Sequence, residues 1–368
     1  MNADTNATVI KNVRVFDGRR LSDERTVTVE GGIITDNAHS NALTVDGQGG
    51  TLLPGLIDSH VHLTAIDNLE QGVKWGVTTM LDMGSPSMAL TDSFRHRAGL
   101  TDVLGCGNSA SAPGGMQTTY MGFPASSAVT GPSDAARFVA ERVAEGGDYI
   151  KIIVEDPKVM GPAALDGATI AALVAAAHDA NLKTIAHASS LAAFQLAEDG
   201  GVDVITHAPL DADAGQERVA SLVARGVVSI PTLTMMKRIV ANASNLPTHA
   251  RHLDYTHALA TVASFHSAGL QILAGTDANM APMSPAKVPH GESLHDELAL
   301  LVDAGLTPVE ALRAATVLPA RYFGLTDRGA IEPGLRADLV LVAGDPTVDI
   351  AATRALQGVW VGGIQARR

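Results

Sequence analysis

Short apolar runs alternate with longer amphipathic stretches through the middle of the chain. The runs are four to seven residues long, and each is followed by about a dozen residues with a helical apolar stripe. Continuous apolar runs are typical of parallel strands covered on both faces by crossover helices. The pattern predicts eight strands, at Leu52–Ser59, Thr78–Met83, Asp102–Asn108, Tyr149–Val154, Lys183–Ala188, Val202–Ala208, Val227–Leu233 and Gln271–Gly275.

Recurring Ala and Leu residues predict helices between these strands. Eight strand–helix units over roughly 275 residues fit an α/β fold of the (β/α)₈ TIM-barrel type. An open, doubly wound sheet is the alternative, but no GxGxxG motif follows an early strand. The clearest helices are predicted at Gly167–Ala180, Ser190–Asp199, Gln216–Arg225 and Ser293–Ala304.

The two ends of the chain have a different pattern of apolar and polar residues. Val, Ile and Thr alternate with polar residues up to residue 53, and this character returns from about Gly329 in the runs ADLVLVAG and LQGVWVGGIQA. Such alternation predicts short strands in an antiparallel layer. We therefore predict a small β-sandwich domain built from residues 1–53 and 329–368, and a catalytic barrel domain over residues 54–328.

Composition and charge narrow the classes of function. Apolar residues make up 46% of the chain and charged residues 18%, which excludes a disordered chain. Lys and Arg number 26 against 39 Asp and Glu, with no basic stripe, so we expect a small-molecule substrate and no nucleic-acid partner. The sequence has neither a secretory leader nor an apolar run of ~18 residues, so we expect a cytoplasmic protein without membrane contact. Cys106 is the single cysteine, so the chemistry must come from His, Asp, Glu or Lys.

Metal-binding residue types stand where the predicted strands end. In a TIM barrel these ends meet at the mouth that carries the active site. His60 and His62 lie two apart in an extended segment, so both side chains project from one face. His187 and His207 follow the fifth and sixth strands, where the alternative is two buried histidines bonded to the backbone. Asp277 follows the last strand, and its alternative role is that of a helix N-cap. Imidazoles and a carboxylate are ligands that zinc takes, so a metal site is expected.

Lys151 lies inside the fourth predicted strand, in the run DYIKIIV. Burying an ammonium group beside metal ions would cost both desolvation and repulsion. Carbamylation by carbon dioxide would convert the amine into an anionic group able to bridge two metals. A salt-bridged lysine at the barrel mouth is the alternative, and the residues alone leave both open.

These motifs resemble those of the amidohydrolase superfamily. The run PGLIDSHVH at 54–62 is similar to the PG(L/F)IDxHxH opening of that family, and LAGTD at 273–277 is similar to its strand-eight GTD motif. The similarity continues through GLTP at 305–308 to ADL at 337–339 and covers nearly the whole chain. Within the family, the chain is most similar to the imidazolonepropionase-like and prolidase-like branch. The runs that carry this similarity are YIKI at 149–152, THA at 206–208, PTL at 231–233 and HG at 290–291 ahead of HDEL at 295–298.

The resemblance implies a binuclear centre. Zinc is the expected ion, although Mn, Co or Fe fits the same ligands. A bridging hydroxide would be the nucleophile, and Asp277 would carry its proton to the leaving amine. The ligands implied are His60, His62 and Asp277 on one ion, His187 and His207 on the second, and carbamylated Lys151 bridging both.

The activity implied is hydrolysis of an amide C–N bond in a small molecule, such as an N-acyl amino acid or a dipeptide-like compound. The alternatives on the same metals are opening of a cyclic amide, hydrolysis of an ester or lactone, and deamination of a heterocycle. Deamination usually goes with one metal, whereas Lys151 favours two. A catalytically silent scaffold is a further alternative, but silent relatives lose ligands and all six positions are filled here. Members of the superfamily often associate, so a homo-oligomer stays open.

Loops after the predicted strands offer an apolar lining suited to a hydrophobic or aromatic acyl group. Met116 stands where prolidase-like relatives tend to carry a histidine, so the peptide specificity of that branch is in doubt. Residues 155–158, EDPK, replace an expected glycine-rich turn and should reshape the pocket. Core packing is the alternative role for this lining. The predicted substrate contacts are Met116, Tyr120, Leu233, Met236, Met280 and His290, with Met283 in the wider lining.

Overall fold

The strands among the described residues form three hydrogen-bonded sheets. The computed structural model describes residues 7–37, 41–242, 253–282, 284 and 286–367. Met283 therefore lies outside the described residues. The strands are β1 (Ala7–Phe16), β2 (Leu21–Glu30), β3 (Ile33–Thr35), β4 (Leu43–Asp46), β5 (Thr51–Pro54), β6 (Leu56–Val61), β7 (Val77–Asp82), β8 (Asp102–Gly105), β9 (Ile150–Ile153), β10 (Thr184–His187), β11 (Val204–Thr206), β12 (Val228–Ile230), β13 (Gln271–Ile272), β14 (Leu339–Val342), β15 (Leu356–Val361) and β16 (Ile364–Arg367).

Parallel strands β6 to β13 carry the site. Strands β6, β7 and β8 form one sheet, and β9 to β13 form a second, with sequential neighbours paired throughout. Isolated parallel bridges join the two sheets at both edges, Ala110 with Ile152 and Val61 with Ala278. The arrangement is a TIM-barrel-type α/β fold, as the apolar pattern predicts.

The predicted strand Leu52–Ser59 is wrong as a single element, because the chain breaks it at Gly55 into β5 and β6. Strand β5 pairs with β14 of the terminal sheet, whereas β6 pairs with β7. The Gly55 N–H donates to Asp338 O at 2.7 Å, and a Cβ at Gly55 would lie 2.1 Å from Thr78 Oγ1. The apolar run is continuous because both strands are buried, so its pattern hides the junction.

Both ends of the chain contribute to one sheet, with the order β16-β15-β14-β5-β1-β2-β3 and β4 beside β1. It is mixed rather than antiparallel, because β4 and β5 both run parallel to β1. The glycine-containing turn at 47–50 shifts the chain between these two pairings, with Gly50 N–H donating to Gly47 O at 2.8 Å. Division of the sheet into the two facing layers of a sandwich stays a prediction.

Thirteen α-helices are found among the described residues, and the four predicted ones are confirmed to within one residue at each end. No single helix in the described part of the chain is long and apolar enough to span a bilayer; the bent pair Pro157–Ala163 and Gly167–Asp179 passes by length and composition alone. The helices are α1 (Asp67–Lys74), α2 (Met88–Phe94), α3 (Met116–Thr119), α4 (Ala135–Ala144), α5 (Pro157–Met160), α6 (Gly167–Asp179), α7 (Leu191–Gly200), α8 (Gln216–Ala224), α9 (Leu233–Ala241), α10 (Tyr255–Ser267), α11 (Glu292–Asp303), α12 (Pro308–Ala314) and α13 (Val317–Tyr322).

Alternation along β10 and β11 decides which side chains face the interior. Ile185 and Val204 belong to a buried cluster shared with other strands, whereas Ala186 and Ile205 pack in the cluster that contains the helices. Successive residues of a strand point to opposite faces. Lys151 pairs with Ile185, and His187 and Thr206 lie two residues after Ile185 and Val204. All three side chains therefore lie on the same face as Ile185 and Val204, opposite the face that the helices cover.

Candidate metal centre

Asp277 lies between the first two histidines of the predicted site. Its Oδ1 is 3.3 Å from His60 Nε2 and 3.0 Å from His62 Nε2. Because His62 Nδ1 lies 3.0 Å from Gly84 O, this nitrogen carries the proton in the neutral ring and leaves Nε2 facing the carboxylate. Burial lowers the pKa of His62, but the contact with the negatively charged Asp277 carboxylate outweighs burial and raises the pKa overall.

His207 connects this group to His187. The ring centroids of His60 and His207 are 5.0 Å apart, and those of His187 and His207 are 4.4 Å apart. Burial, with the charge of Lys151 and of neighbouring imidazoles, holds the pKa values of His60 and His207 well below the usual range and that of His187 at about 3. Neutral imidazole is the form that binds metal.

Unsatisfied polar atoms are concentrated at this point. Among the described residues, neither of the two ring nitrogens of His60 nor the Oδ1 of Asp277 has a hydrogen-bond partner, and all three atoms are buried. One ligand atom from each of His60, His207 and Asp277 lies within 4.8 Å of the other two. Buried polar groups without partners are costly and rare in proteins. A divalent cation would satisfy all of these atoms at once, so the residues fit a metal ion.

Lys151 is buried below the histidines. Its Nζ donates to Thr206 Oγ1 at 3.0 Å, and that hydroxyl donates to Ala186 O at 3.0 Å. Among the described residues no carboxylate lies within ion-pair distance of Lys151, so the salt-bridged alternative has no partner there. Burial lowers the pKa of Lys151 to about 8. Carbamylation requires a neutral amine, and this shift makes one accessible near neutral pH.

The backbone at the strand ends adopts a conformation that L-residues rarely take. His207, Thr232 and Asp277 have φ values of 76°, 47° and 57°. Non-glycine residues in this left-handed region are uncommon and often occur at functional sites. Two of the three are predicted ligands, so the fold holds both of them in strained geometry at the mouth.

Four supporting residues received no role in the sequence analysis. Asp58 accepts from Thr276 Oγ1 at 2.7 Å and from Thr276 N–H at 3.1 Å, which ties β6 to the segment that carries Asp277. Thr232 Oγ1 lies 2.8 Å from His207 Nδ1. Glu297 accepts from the first two N–H groups of α9, at 2.9 and 2.7 Å, and so replaces the cap that Thr232 does not provide. The only sequence signals for Asp58 and Glu297 are their positions in the IDSHVH and HDEL motifs; Thr206 and Thr232 have none beyond lying next to predicted site residues.

The six predicted substrate contacts have different environments. His290 is buried at the site, with its Nε2 3.0 Å from His62 O, and burial lowers its pKa to about 4. Leu233 and Met236 are fully buried in the main hydrophobic cluster. The exposed ones, at 42%, 60% and 52% of their surface, are Met116, Tyr120 and Met280.

Among the described residues, Glu155 is the one acidic residue found at ion-pair distance from His187. Its Oε1 lies 3.7 Å from His187 Nε2, and burial raises its pKa to about 7. The EDPK loop that contains it therefore reaches the site.

Comparison with known proteins identifies the family of the chain. The model of the amidohydrolase family matches residues 51–366, which is most of the chain. The chain belongs to the amidohydrolase family. This amidohydrolase is thus a hydrolase that acts on carbon–nitrogen bonds, and its superfamily generally uses a divalent metal.

Relatives of the amidohydrolase share its length or its fold. An uncharacterized protein of Mycobacterium tuberculosis (strain ATCC 25618 / H37Rv) is 28% identical over 351 residues, with 89% of each chain covered. A solved Xaa-Pro dipeptidase with bound methionine is 22% identical, with a TM-score of 0.82 over 98% of this chain and 99% of that one. An adenine deaminase of Nitratidesulfovibrio vulgaris is 25% identical over 347 residues, which cover 91% of this chain but 54% of the deaminase.

Gly275→Ala is expected to destabilise the amidohydrolase by about 1–3 kcal/mol and to weaken metal binding. The added Cβ would lie 2.9 Å from both the N and the Cβ of His60 and 2.5 Å from Ile230 Cγ2, which forces His60 to shift. Denaturant unfolding and metal titration measure both effects. Gly167→Ala is the control, because its nearest contact is Leu196 Cδ2 at 3.8 Å. Unchanged stability in Gly275→Ala would contradict the close approach.

Proposed function

We propose that this amidohydrolase hydrolyses the amide bond of a small molecule, such as an N-acyl amino acid or a dipeptide-like compound. The observation that carries the proposal is the group of His60 and Asp277, whose facing atoms are buried and have no hydrogen-bond partner in the described part of the chain. A carboxylate and imidazoles gathered without partners at the end of parallel strands are a metal-hydrolase arrangement rather than a structural one.

In this proposal the ligands divide between two divalent ions, zinc or one of Mn, Co and Fe. When bound, such ions polarise a carbonyl group and lower the pKa of a coordinated water. The lowered pKa values of His60, His187 and His207 support the assignment, as does the lack of a carboxylate partner for Lys151 among the described residues. The proposed ligands are His60, His62 and Asp277 for the first ion, His187 and His207 for the second, and Lys151, carbamylated, for both.

Asp277 is the proposed general acid and base. Its Oδ1 accepts no hydrogen bond from the described residues, so it could take a proton from the attacking water and deliver it to the leaving nitrogen. The Asp277 N–H donates to His60 O at 2.8 Å, and Asp58 holds the neighbouring Thr276. These contacts fix the carboxylate before substrate binds, which lowers the cost of reorganisation during the reaction.

Substrate recognition is proposed to use the outer loops. Met116, Tyr120 and Met280 expose large apolar surfaces, which supports a hydrophobic or aromatic group on the substrate. The catalytic unit in this proposal is a barrel over residues 54–328, closed through the bridges at Val61 and Ala110, and the terminal segments form the β-sandwich domain.

Heterocycle deamination is the second candidate, because adenine deaminases are among the proteins similar to this chain. Lys151 argues against it, since the proposed carbamate serves two ions and deamination usually goes with one.

Removal of metal is expected to abolish amide hydrolysis, and return of zinc with bicarbonate is expected to restore it. The reason is that Lys151 becomes a ligand only after carbamylation. Elemental analysis before and after chelation should give two ions per chain, and turnover should be followed on N-acyl amino acids, dipeptides, hydantoins, lactones, aryl esters and adenine. Full activity in the chelated protein would contradict the proposal. One ion per chain, indifference to bicarbonate and release of ammonia from adenine would favour the deaminase.

A further inference from the structure

The loop after β9 brings a carboxylate to the second half of the proposed centre. Val154 N–H donates to His187 O at 3.0 Å, so the chain stays beside β10 for one residue after the strand ends. Asp156 then accepts from Lys158 N–H at 2.8 Å and caps α5, which turns the chain away. Glu155 lies between these two anchors, next to His187.

Glu155 differs from the other buried carboxylates around the site. Asp58 and Glu297 each accept two or more hydrogen bonds at 3.2 Å or less. Glu155 makes no side-chain hydrogen bond within the described residues, and its one ion-pair contact there is with His187 Nε2, at 3.7 Å, which is too long for a hydrogen bond. The two side chains are exposed to a similar extent, 25% and 24%, so both are partly accessible to solvent where they meet.

The distance fits two ligands of one ion. Atoms bound at ~2.0–2.2 Å to a tetrahedral zinc ion are roughly 3.4 Å apart. The pairs of Asp277 with His60 and His62 are 3.3 and 3.0 Å apart, and the pair of Glu155 with His187 is 3.7 Å apart. We propose that Glu155 is an additional carboxylate ligand of the ion held by His187 and His207.

This inference rests on the proposed two-metal hydrolase. It gives each ion one carboxylate from the protein, Asp277 for the first and Glu155 for the second. A cationic group of a substrate is the other cation that Glu155 could bind. The metal is favoured because Glu155 Oε1 lies 3.7 Å from His187 Nε2. This ring nitrogen is the atom with which Glu155 would share the ion.

Glu155→Gln tests the inference, with Asp156→Asn as the matched control. Both variants remove one negative charge from the same loop, but Asp156 faces the backbone of α5, and asparagine also caps helices. Metal-free protein is titrated with zinc in bicarbonate buffer by calorimetry and by competition with a chelating dye. We expect Glu155→Gln to bind the second zinc at least about tenfold more weakly and the first normally, and Asp156→Asn to match the wild type.

Each other outcome is decisive. Two ions bound with equal affinity by the wild type and Glu155→Gln would overturn the inference and leave the proposed function intact. A single ion in the wild type would overturn both. Unchanged zinc affinity with a raised KM only for cationic substrates would assign Glu155 to substrate recognition instead. Normal binding of the first zinc in Glu155→Gln shows that the variant is folded.

Discussion

Asp277→Asn is expected to lower kcat by about 10²–10⁴-fold while the protein still binds metal. Asparagine keeps an oxygen that can act as a ligand, but its amide cannot take up a proton. The unpaired Oδ1 of Asp277, 3.0 Å from His62 Nε2, is the atom that loses this capacity. Turnover of the best substrate and bound metal per chain, measured on the same preparation, separate the two roles.

Asp296→Asn is the control for removal of an aspartate charge. Asp296 is half exposed and pairs with Arg354 away from the strand ends, so this variant should keep both kcat and metal. Equal losses of turnover and metal in Asp277→Asn would mean that Asp277 acts as a ligand alone. Undiminished turnover would remove Asp277 from the mechanism.

Lys151→Met is expected to abolish activity and to remove at least one ion, yet to make the metal-free protein more stable. Methionine fills a similar volume but cannot be carbamylated, so the bridging ligand is lost. In metal-free protein the buried ammonium lacks a carboxylate partner among the described residues, and its pKa falls from 10.5 to about 8 because of burial. A shift of this size costs on the order of 3 kcal/mol when the lysine is protonated.

The sign of the pH dependence follows from the lowered pKa. Below pH 8 the folded protein carries the full penalty, because the unfolded chain holds the proton more tightly. Between pH 8 and 10.5 the penalty fades, so the stability of metal-free wild type should rise with pH relative to that of Lys151→Met. Unfolding is followed in bicarbonate-free buffer, where the variant should melt a few degrees higher at neutral pH.

Lys183→Met is the control, because Lys183 is exposed above the ring of Tyr322 just before β10 begins. It should change neither activity nor metal content. A Lys151→Met protein that binds two ions and turns over substrate normally would contradict the proposed carbamylation of Lys151. Lower stability in its metal-free form would show that the ammonium is well solvated in the fold.

Strand and helix positions could be predicted wherever burial imposes a regular pattern. The helix Gly167–Asp179 was predicted to within one residue, because apolar residues recur at helical spacing on its buried face, at Ile170, Leu173, Val174 and Ala177. The junction at Gly55 was missed, since β5 and β6 are both fully buried and the apolar run has no polar break. The burial of His295 could not be predicted either, because its ring contacts Trp75 O at 2.9 Å and Thr353 Oγ1, which lie far away in the sequence.

The sequence by itself determined the family and the types of residue at the strand ends, because strand period and motif spacing are local properties. His60 and His62 share a face in any extended segment. Only the tertiary structure decided that Asp277, more than 200 residues later, lies within 3.3 Å of both rings. It alone brought Glu155 next to His187 and left Lys151 without a carboxylate partner within the described chain. These relations depend on which strands are neighbours and on the left-handed turns that end them, and neither is encoded by any one segment of the chain.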